Sequence, residues 1–303
     1  MKYSLVDSIV GNHLSMVKQI SLVIVSWNVR QLLEANLRKI FSLSPLVSFE
    51  VVVVDNGSTD GSAHMVRDEF PQVKLIQNDW DAGFAFPCNQ GLRVTSGEVC
   101  VLLNPDMLID VGVLERTYHE LIADKTIGVF GVRLLTGEKE VLRSVRRFPD
   151  LGSQLAIVLK LARFFPKLVS RYMAEDLDYG ISQDVDQVRG SYFAFRRELL
   201  SSIGFLDEGY HLWFEEVDFC KRVQNAGLRV RYDASVSCHD FVGKGFAKMK
   251  HGEKQRIFTA SMQRYFFKWN SWWQAALIGI ARPFGIAVAC AVDWYESILK
   301  KNV

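Results

Sequence analysis

The sequence predicts an α/β fold: a mainly parallel central sheet with helices on both faces. Three observations predict it. Strand-like and helix-like segments alternate over residues 20–134. One strand-like segment, residues 50–55, carries four consecutive valines, the mark of a strand covered on both faces. Turn-forming residues follow two strands directly, as Asn56-Gly57-Ser58 and Asn104-Pro105-Asp106. Alternation at this spacing gives βα units whose strands lie parallel.

The elements follow in order. Residues 1–18 show no pattern and read as an extension. Residues 20–27 are apolar and β-branched over the length of a strand. Leu32, Leu33, Leu37, Ile40 and Phe41 recur at helical spacing. After the valine strand, Ser58 or Asp60 can cap a short helix ending near Phe70. Residues 73–77 form a third strand, 89–95 a helix, 98–103 a fourth strand, 110–123 a helix and 127–134 a fifth strand. The pattern then loosens: residues 136–152 are polar and basic, and 153–173 are rich in Leu, Ala and Phe but interrupted by Pro166. Order returns with a strand over 188–195 and helices over 196–202 and 214–226, the last stopped by Gly227. Short strands are expected over 228–232 and 235–239. The division is an extension (1–18), a catalytic domain (19–250, its nucleotide-binding part 19–135 and acceptor-binding part 136–250), and a helical tail (251–303).

The tail carries Trp269, Trp272 and Trp273, then an apolar stretch interrupted by Arg282-Pro283. A spanning helix wants about 20 uncharged apolar residues. Aromatic and cationic side chains beside apolar ones suit a membrane interface. Contact with a membrane surface through 269–303, plain packing on the domain and a true span all stay open.

The chain has 303 residues, 49% of them apolar, enough for a large core. A net charge of +2 gives no reason to expect nucleic acid as a partner. Positive charge does gather at Arg143, Arg146 and Arg147, and again over 244–256. Five widely spaced cysteines form neither a disulfide framework nor a CxxC zinc pair. With no secretion signal in the N-terminal residues, the expected setting is the reducing cytoplasm.

Ligands of such sheets bind beyond the carboxyl ends of the strands. Asp55 ends the valine strand and can accept hydrogen bonds from a base or ribose, while Asn56-Gly57 permits a tight turn beside a ligand. Asp106, stiffened by Pro105, suits a hard divalent cation held partly by diphosphate oxygens. Glu215, Glu216 and Asp218 are hemmed by Trp213, Phe214 and Phe219, and apolar surroundings with like charges raise a carboxylate toward general-base range. His239 follows a short strand and can ligate a metal. Taken singly, each has a plain reading: a turn, a helix cap or a structural histidine.

Together and in this order, the segments resemble the GT-A-fold glycosyltransferases of family 2, and among them the rhamnosyltransferase-type enzymes of bacterial surface polysaccharides. The matching pieces lie between Ser21 and Phe246: Val23-Ile24-Val25-Ser26-Trp27-Asn28, Val54-Asp55-Asn56-Gly57-Ser58, Gly83-Phe84-Ala85, Leu103-Asn104-Pro105-Asp106, Gly204-Phe205-Leu206-Asp207-Glu208 and Phe214-Glu215-Glu216-Val217-Asp218. The resemblance implies that Ser26, Trp27, Asn28, Asp55, Asn56, Gly83, Asn104 and Asp106 bind the nucleotide sugar. It implies Mg²⁺ or Mn²⁺ on Asp106 and His239, an acceptor pocket near Gly190 and Trp213, and Glu216 as the base, with Glu215 or Asp218 able to share the task. Two departures stand out: Glu216 where relatives often have Asp, and Trp27 where Tyr is common.

The implied reaction is inverting, metal-dependent transfer of a sugar, rhamnose from dTDP-rhamnose first, to a glycan that is lipid-linked, at the inner face of the membrane. A UDP-hexose enzyme of the same family and a non-catalytic sugar-binding relative are the alternatives. A dinucleotide-dependent oxidoreductase would need a glycine-rich turn after the first strand, where this chain has Ser26-Trp27-Asn28-Val29-Arg30.

Overall fold

The structure is a computed structural model and describes residues 18–241 and 249–301. Most of the expected N-terminal extension, Gly243 and Gly245 after His239, and the start of the second basic stretch lie outside the described residues.

Four strands form the parallel half of the sheet: β1 (Ile20–Ser26), β2 (Phe49–Asn56), β3 (Lys74–Asn78) and β4 (Val99–Leu103), in spatial order β3-β2-β1-β4. Their connections are α1 (Arg30–Ser42), α2 (Ser62–Glu69) and α3 (Ala85–Val94). The chain continues through β5 (Met107–Ile109), α4 (Val113–Ala123) and β6 (Ile127–Leu135), then α5 (Leu151–Val158), α6 (Lys167–Ser170) and β7 (Gln183–Val185). Next come β8 (Tyr192–Arg196), α7 (Leu199–Ser202), α8 (Glu215–Asn225), β9 (Arg229–Asp240), α9 (His251–Trp269) and α10 (Trp272–Lys301). Beyond β4 the sheet becomes mixed. β8 lies antiparallel between β4 and β6, β9 runs parallel to β6, and the short strands β5 and β7 pair antiparallel with β9.

Strand alternation sorts the core into two layers. Ile20, Leu22 and Ile24 of β1 face α1, α2 and α4, packing with Leu33, Leu37, Val66 and Leu114. Val23 and Val25 face the other way, onto Cys88 and Leu92 of α3, with Phe219 and Val223 of α8 in the same cluster. Cys100 is buried in this second layer, and the five cysteines are free thiols. α8 ends in a Schellman turn: Gly227 takes φ 77°, and the Leu228 N–H donates to the Val223 carbonyl.

Three expectations change. The two short strands at 228–239 are one strand, β9. Its register against β6 jumps from Val132↔Asp233 to Arg133↔Ser237, bulging out three residues at a point where Asp233 accepts from Ser235 N and Oγ. The strand expected from 188 begins at Tyr192. The tail is not broken at Arg282-Pro283: α10 passes through Pro283 unbroken. An interior proline costs a helix about 3 kcal/mol. Burial of Ala275, Ile278 and Ala281 against Met262, Tyr265 and Phe266 of α9 offsets it.

That third cluster also contains Tyr210, Phe214 and Val217. The two C-terminal helices therefore underlie the start of α8. Asp207 ties α9 further, accepting from Arg264 (2.7 Å) and Lys268 (2.9 Å). Burial works against its charge, but these two cations hold Asp207 down at a pKa of about 2.

Candidate active site

A cleft of about 710 Å³ opens at the carboxyl edge of the parallel half. Its walls include Trp27, Asn56, Gly83, Asn104, Asp106 and His211. A second hollow of about 400 Å³ is lined by Arg189, Gly190, Trp213, Glu215 and Glu216. The two share Phe84, Asn104 and Leu212, so the Asp106 and Glu216 side chains line adjoining space.

The loops at this edge of the sheet are tied together by their own polar side chains. Asn28, at φ 53°, donates its N–H to Ser58 Oγ, and its Oδ1 accepts from Thr59 N. Asn56 donates to Asp81 Oδ1 (2.7 Å) and to the Gly83 carbonyl (2.9 Å), fixing the 81–83 loop. Gly83 is required there. Its φ is 79°, and a Cβ would sit 2.1 Å from the His211 carbonyl oxygen.

Asp55 and Ser26 are paired in register and project on the face opposite Trp27 and Asn56. They therefore lie beside the cleft rather than on its wall. Ser58 N donates to Asp55 Oδ2, whereas Asp55 Oδ1 and Ser26 Oγ are buried without a partner. Buried polar atoms are rarely left unmade. Both residues are 0% exposed, so a ligand reaches these atoms only if the surrounding chain moves.

Glu215 and Glu216 open α8. The chain enters that helix through two consecutive non-glycine residues at positive φ, Trp213 (65°) and Phe214 (73°). Such backbone costs on the order of 1–3 kcal/mol per residue, and it turns the first helical turn toward the second hollow. Glu215 Oε2 and Glu216 Oε2 have no hydrogen-bond partner. Burial, then the adjacent Glu216 charge, pushes Glu215 well above the usual carboxylate range. Burial raises Glu216 as well, opposed by backbone N–H groups at the helix start and by Arg189. Gly190 lies against the Glu216 side chain.

Asp218 is placed elsewhere. It is 0% exposed and accepts from Arg222 Nε (2.9 Å) and Trp269 Nε1 (2.8 Å), with Lys268 at 2.7 Å. It lines neither hollow, so a share in base chemistry does not match its position. His239 also departs from expectation. It pairs with Leu108 across β5, and its Nε2 lies 3.5 Å from Asp110 rather than on the cleft wall.

The next residue, Asp240, was not singled out in the sequence, nor were Arg189, Asp81 and His211. Asp240 accepts from Ser191 Oγ (3.0 Å) and faces Arg189 Nη1 (3.6 Å). Ser191 in turn bonds the Asn104 backbone (3.0 Å). This chain of contacts joins the Asp106 loop to the Glu216 hollow. Only the position of Asp240 after His239 hinted at it.

Among the described residues no group of three or more His, Cys, Asp or Glu is placed to cage a metal. The cleft does present oxygen donors, from Asp106, Asp81 and Asn104. That set fits a hard cation that takes one or two carboxylates and fills its remaining positions from a diphosphate.

The architecture has known counterparts. It resembles a mannosyltransferase from Pyrobaculum calidifontis solved with GDP-Man and Mn²⁺, at TM-score 0.57 and 20% identity over 90% of this chain and 73% of that one. It also resembles GalNAc-T7 solved with UDP, GalNAc and Mn²⁺, at TM-score 0.58 and 14% identity over 83% and 50%. The fold is therefore that of the GT-A nucleotide-sugar transferases. The glycosyl transferase family 2 profile matches residues 21–204, and the chain belongs to that family of enzymes. An N-acetylglucosaminyl-diphospho-decaprenol L-rhamnosyltransferase of Mycobacterium tuberculosis is 25% identical over 248 residues, covering 75% of this chain and 78% of the relative.

Proposed function

We propose that this glycosyltransferase moves a sugar, rhamnose from dTDP-rhamnose in the first instance, onto a hydroxyl of a lipid-linked glycan with inversion at the anomeric carbon. The observation that carries this reading is Glu216: a carboxylate with one buried, unpartnered oxygen in a hollow that shares walls with the cleft holding Asp106. The M. tuberculosis rhamnosyltransferase supports the sugar and the lipid diphosphate.

In this reading the donor lies along the larger cleft. Trp27, Asn28 and Asn56 shape its nucleotide end, and Ser26 Oγ with Asp55 Oδ1 offers an acceptor pair to a base edge once exposed. Asp106 would hold Mg²⁺ or Mn²⁺, which when bound neutralises charge on a leaving diphosphate. Gly190 and Trp213 bound the space for the acceptor. Glu216, raised by burial, takes the proton from the acceptor hydroxyl as that oxygen attacks the anomeric carbon. Glu215 is pushed well above the usual carboxylate range by burial and by the adjacent Glu216 charge, which favours keeping the negative charge of the pair on Glu216. Inversion follows from one displacement through an oxocarbenium-like transition state.

The test is nucleotide release from a panel of dTDP- and UDP-sugars with Mn²⁺ or Mg²⁺. Glu216→Gln should lower kcat by ~10²–10⁴ with donor affinity kept. Asp106→Ala should abolish the part of donor affinity that depends on metal. Undiminished turnover in the first variant, or undiminished metal dependence in the second, would falsify the assignment. Release from UDP-hexoses alone would replace the rhamnose donor.

A further inference from the structure

A third groove, of about 1060 Å³, lies between α9, α10 and the turn after α5. Its lining includes the apolar side chains Phe164, Phe258, Val288 and Val292. Among them stand Lys160, Arg163 and Lys254, and no carboxylate is among the lining residues. Among the described residues, none of these three cations makes an ion pair. Lys160 has the neutral Gln255 Oε1 (2.6 Å) as its partner. Burial lowers its pKa with no anion nearby to oppose the shift. Its backbone is left-handed (φ 60°) at the end of α5, a position where glycine carries no strain.

Both ends of the groove lead somewhere. At one end is Trp213, which also lines the hollow holding Glu216. At the other, Val288 and Val292 belong to a stripe of exposed bulky residues along α10 that includes Leu277, Ile280 and Phe284. Apolar lining, uncompensated positive charge and a shared boundary with the acceptor hollow define an amphiphile with a dianionic head.

We propose that this groove seats the diphosphate and the first isoprenoid units of a lipid diphosphate acceptor. Lys160, Arg163 and Lys254 take the diphosphate, and the apolar lining guides the chain out over α10. The inference rests on the lipid-linked acceptor of the proposed function and assigns its binding site. Trp213 then marks where the head leaves the groove and the acceptor sugar enters the Glu216 hollow.

The experiment uses the full chain and geranylgeranyl diphosphate as the probe, with binding followed by calorimetry. Binding of dTDP and UDP is measured in parallel as the readout of the donor cleft. Lys160→Ala with Lys254→Ala should weaken the probe roughly tenfold or more, the effect of losing charge-assisted hydrogen bonds. Nucleotide affinity and melting temperature should stay as they were. Inorganic pyrophosphate and geranylgeraniol, each alone, should bind more weakly than the conjugate.

Equal probe affinity in the double variant overturns the proposal. So does displacement of the probe by dTDP or UDP, which puts it in the donor cleft. An equal loss of binding to phosphatidylglycerol vesicles reassigns the groove to ordinary headgroups and also overturns it. If no nucleotide sugar is turned over, the transfer reading fails, while probe binding still reports on the groove.

Discussion

At the scale of single residues, three acids within one turn of α8 divide into different roles. Glu216 reaches a hollow with a free oxygen, and burial has raised its pKa. A base must be ionised to act, so activity should fall as pH drops through this raised value. The acid limb of the kcat/KM profile should therefore lie above the usual carboxylate range, and a limb at or below that range would remove Glu216 as the base. Asp218 is a structural ion instead, held by Arg222, Lys268 and Trp269. Asp218→Ala leaves those cations without their buried partner and should cost about 3 kcal/mol in urea unfolding. The acidic string was legible because its members are neighbours in sequence. Which acid faced the hollow was not, because Lys268 and Trp269 arrive from a helix that packs beneath only in three dimensions. Arg189 and Asp240 were hidden for the same reason: β5, β8 and β9 must assemble before Ser191 meets Asp240.

At the scale of elements, the parallel half was readable because β1, β4 and most of β2 are buried on both faces and its strands are separated by helices of ordinary length. β5 and β7 have three residues each, too few for any periodicity. The β9 bulge is a register event with no signature in composition. α10 defied its own proline because its small residues pack on α9. Its outer face is another matter: Ile280 is 65% exposed and Phe284 63%. One 18-residue window of this helix is apolar enough to cross a bilayer, yet α9, with Arg256, Arg264 and Lys268, runs alongside it. In the proposed reading, that arrangement suits seating in the interface better than spanning. Ile280→Glu with Phe284→Glu should abolish flotation with liposomes and leave the melting temperature within about 2 °C, as exposed side chains add little to stability. Flotation equal to the unmodified chain would remove the membrane role of this face.

At the scale of the whole molecule, the donor and acceptor parts are latched where the loop before α3 meets the loop before α8. The Phe84 N–H donates to the His211 carbonyl (2.7 Å), and Gly83 fits against that carbonyl without a Cβ. Gly83→Ala should force the loops apart at a cost of about 1–3 kcal/mol, raising KM for donor and acceptor together. A change confined to the donor would mean that the latch is not shared.

The cluster of Phe214 and Val217 with Met262, Tyr265, Ala275, Ile278 and Ala281 carries a temporal implication. The family profile ends at residue 204, but the turn bearing Glu216 packs in a cluster that is complete only when the segment through Ala281 is present. In the proposed reading, the donor-binding half can fold as it emerges during synthesis, whereas the turn bearing the base is completed by chain still inside the ribosome. The Glu216 carboxylate is, in that reading, positioned only once translation has passed Ala281, in the same helix that presents the bulky stripe.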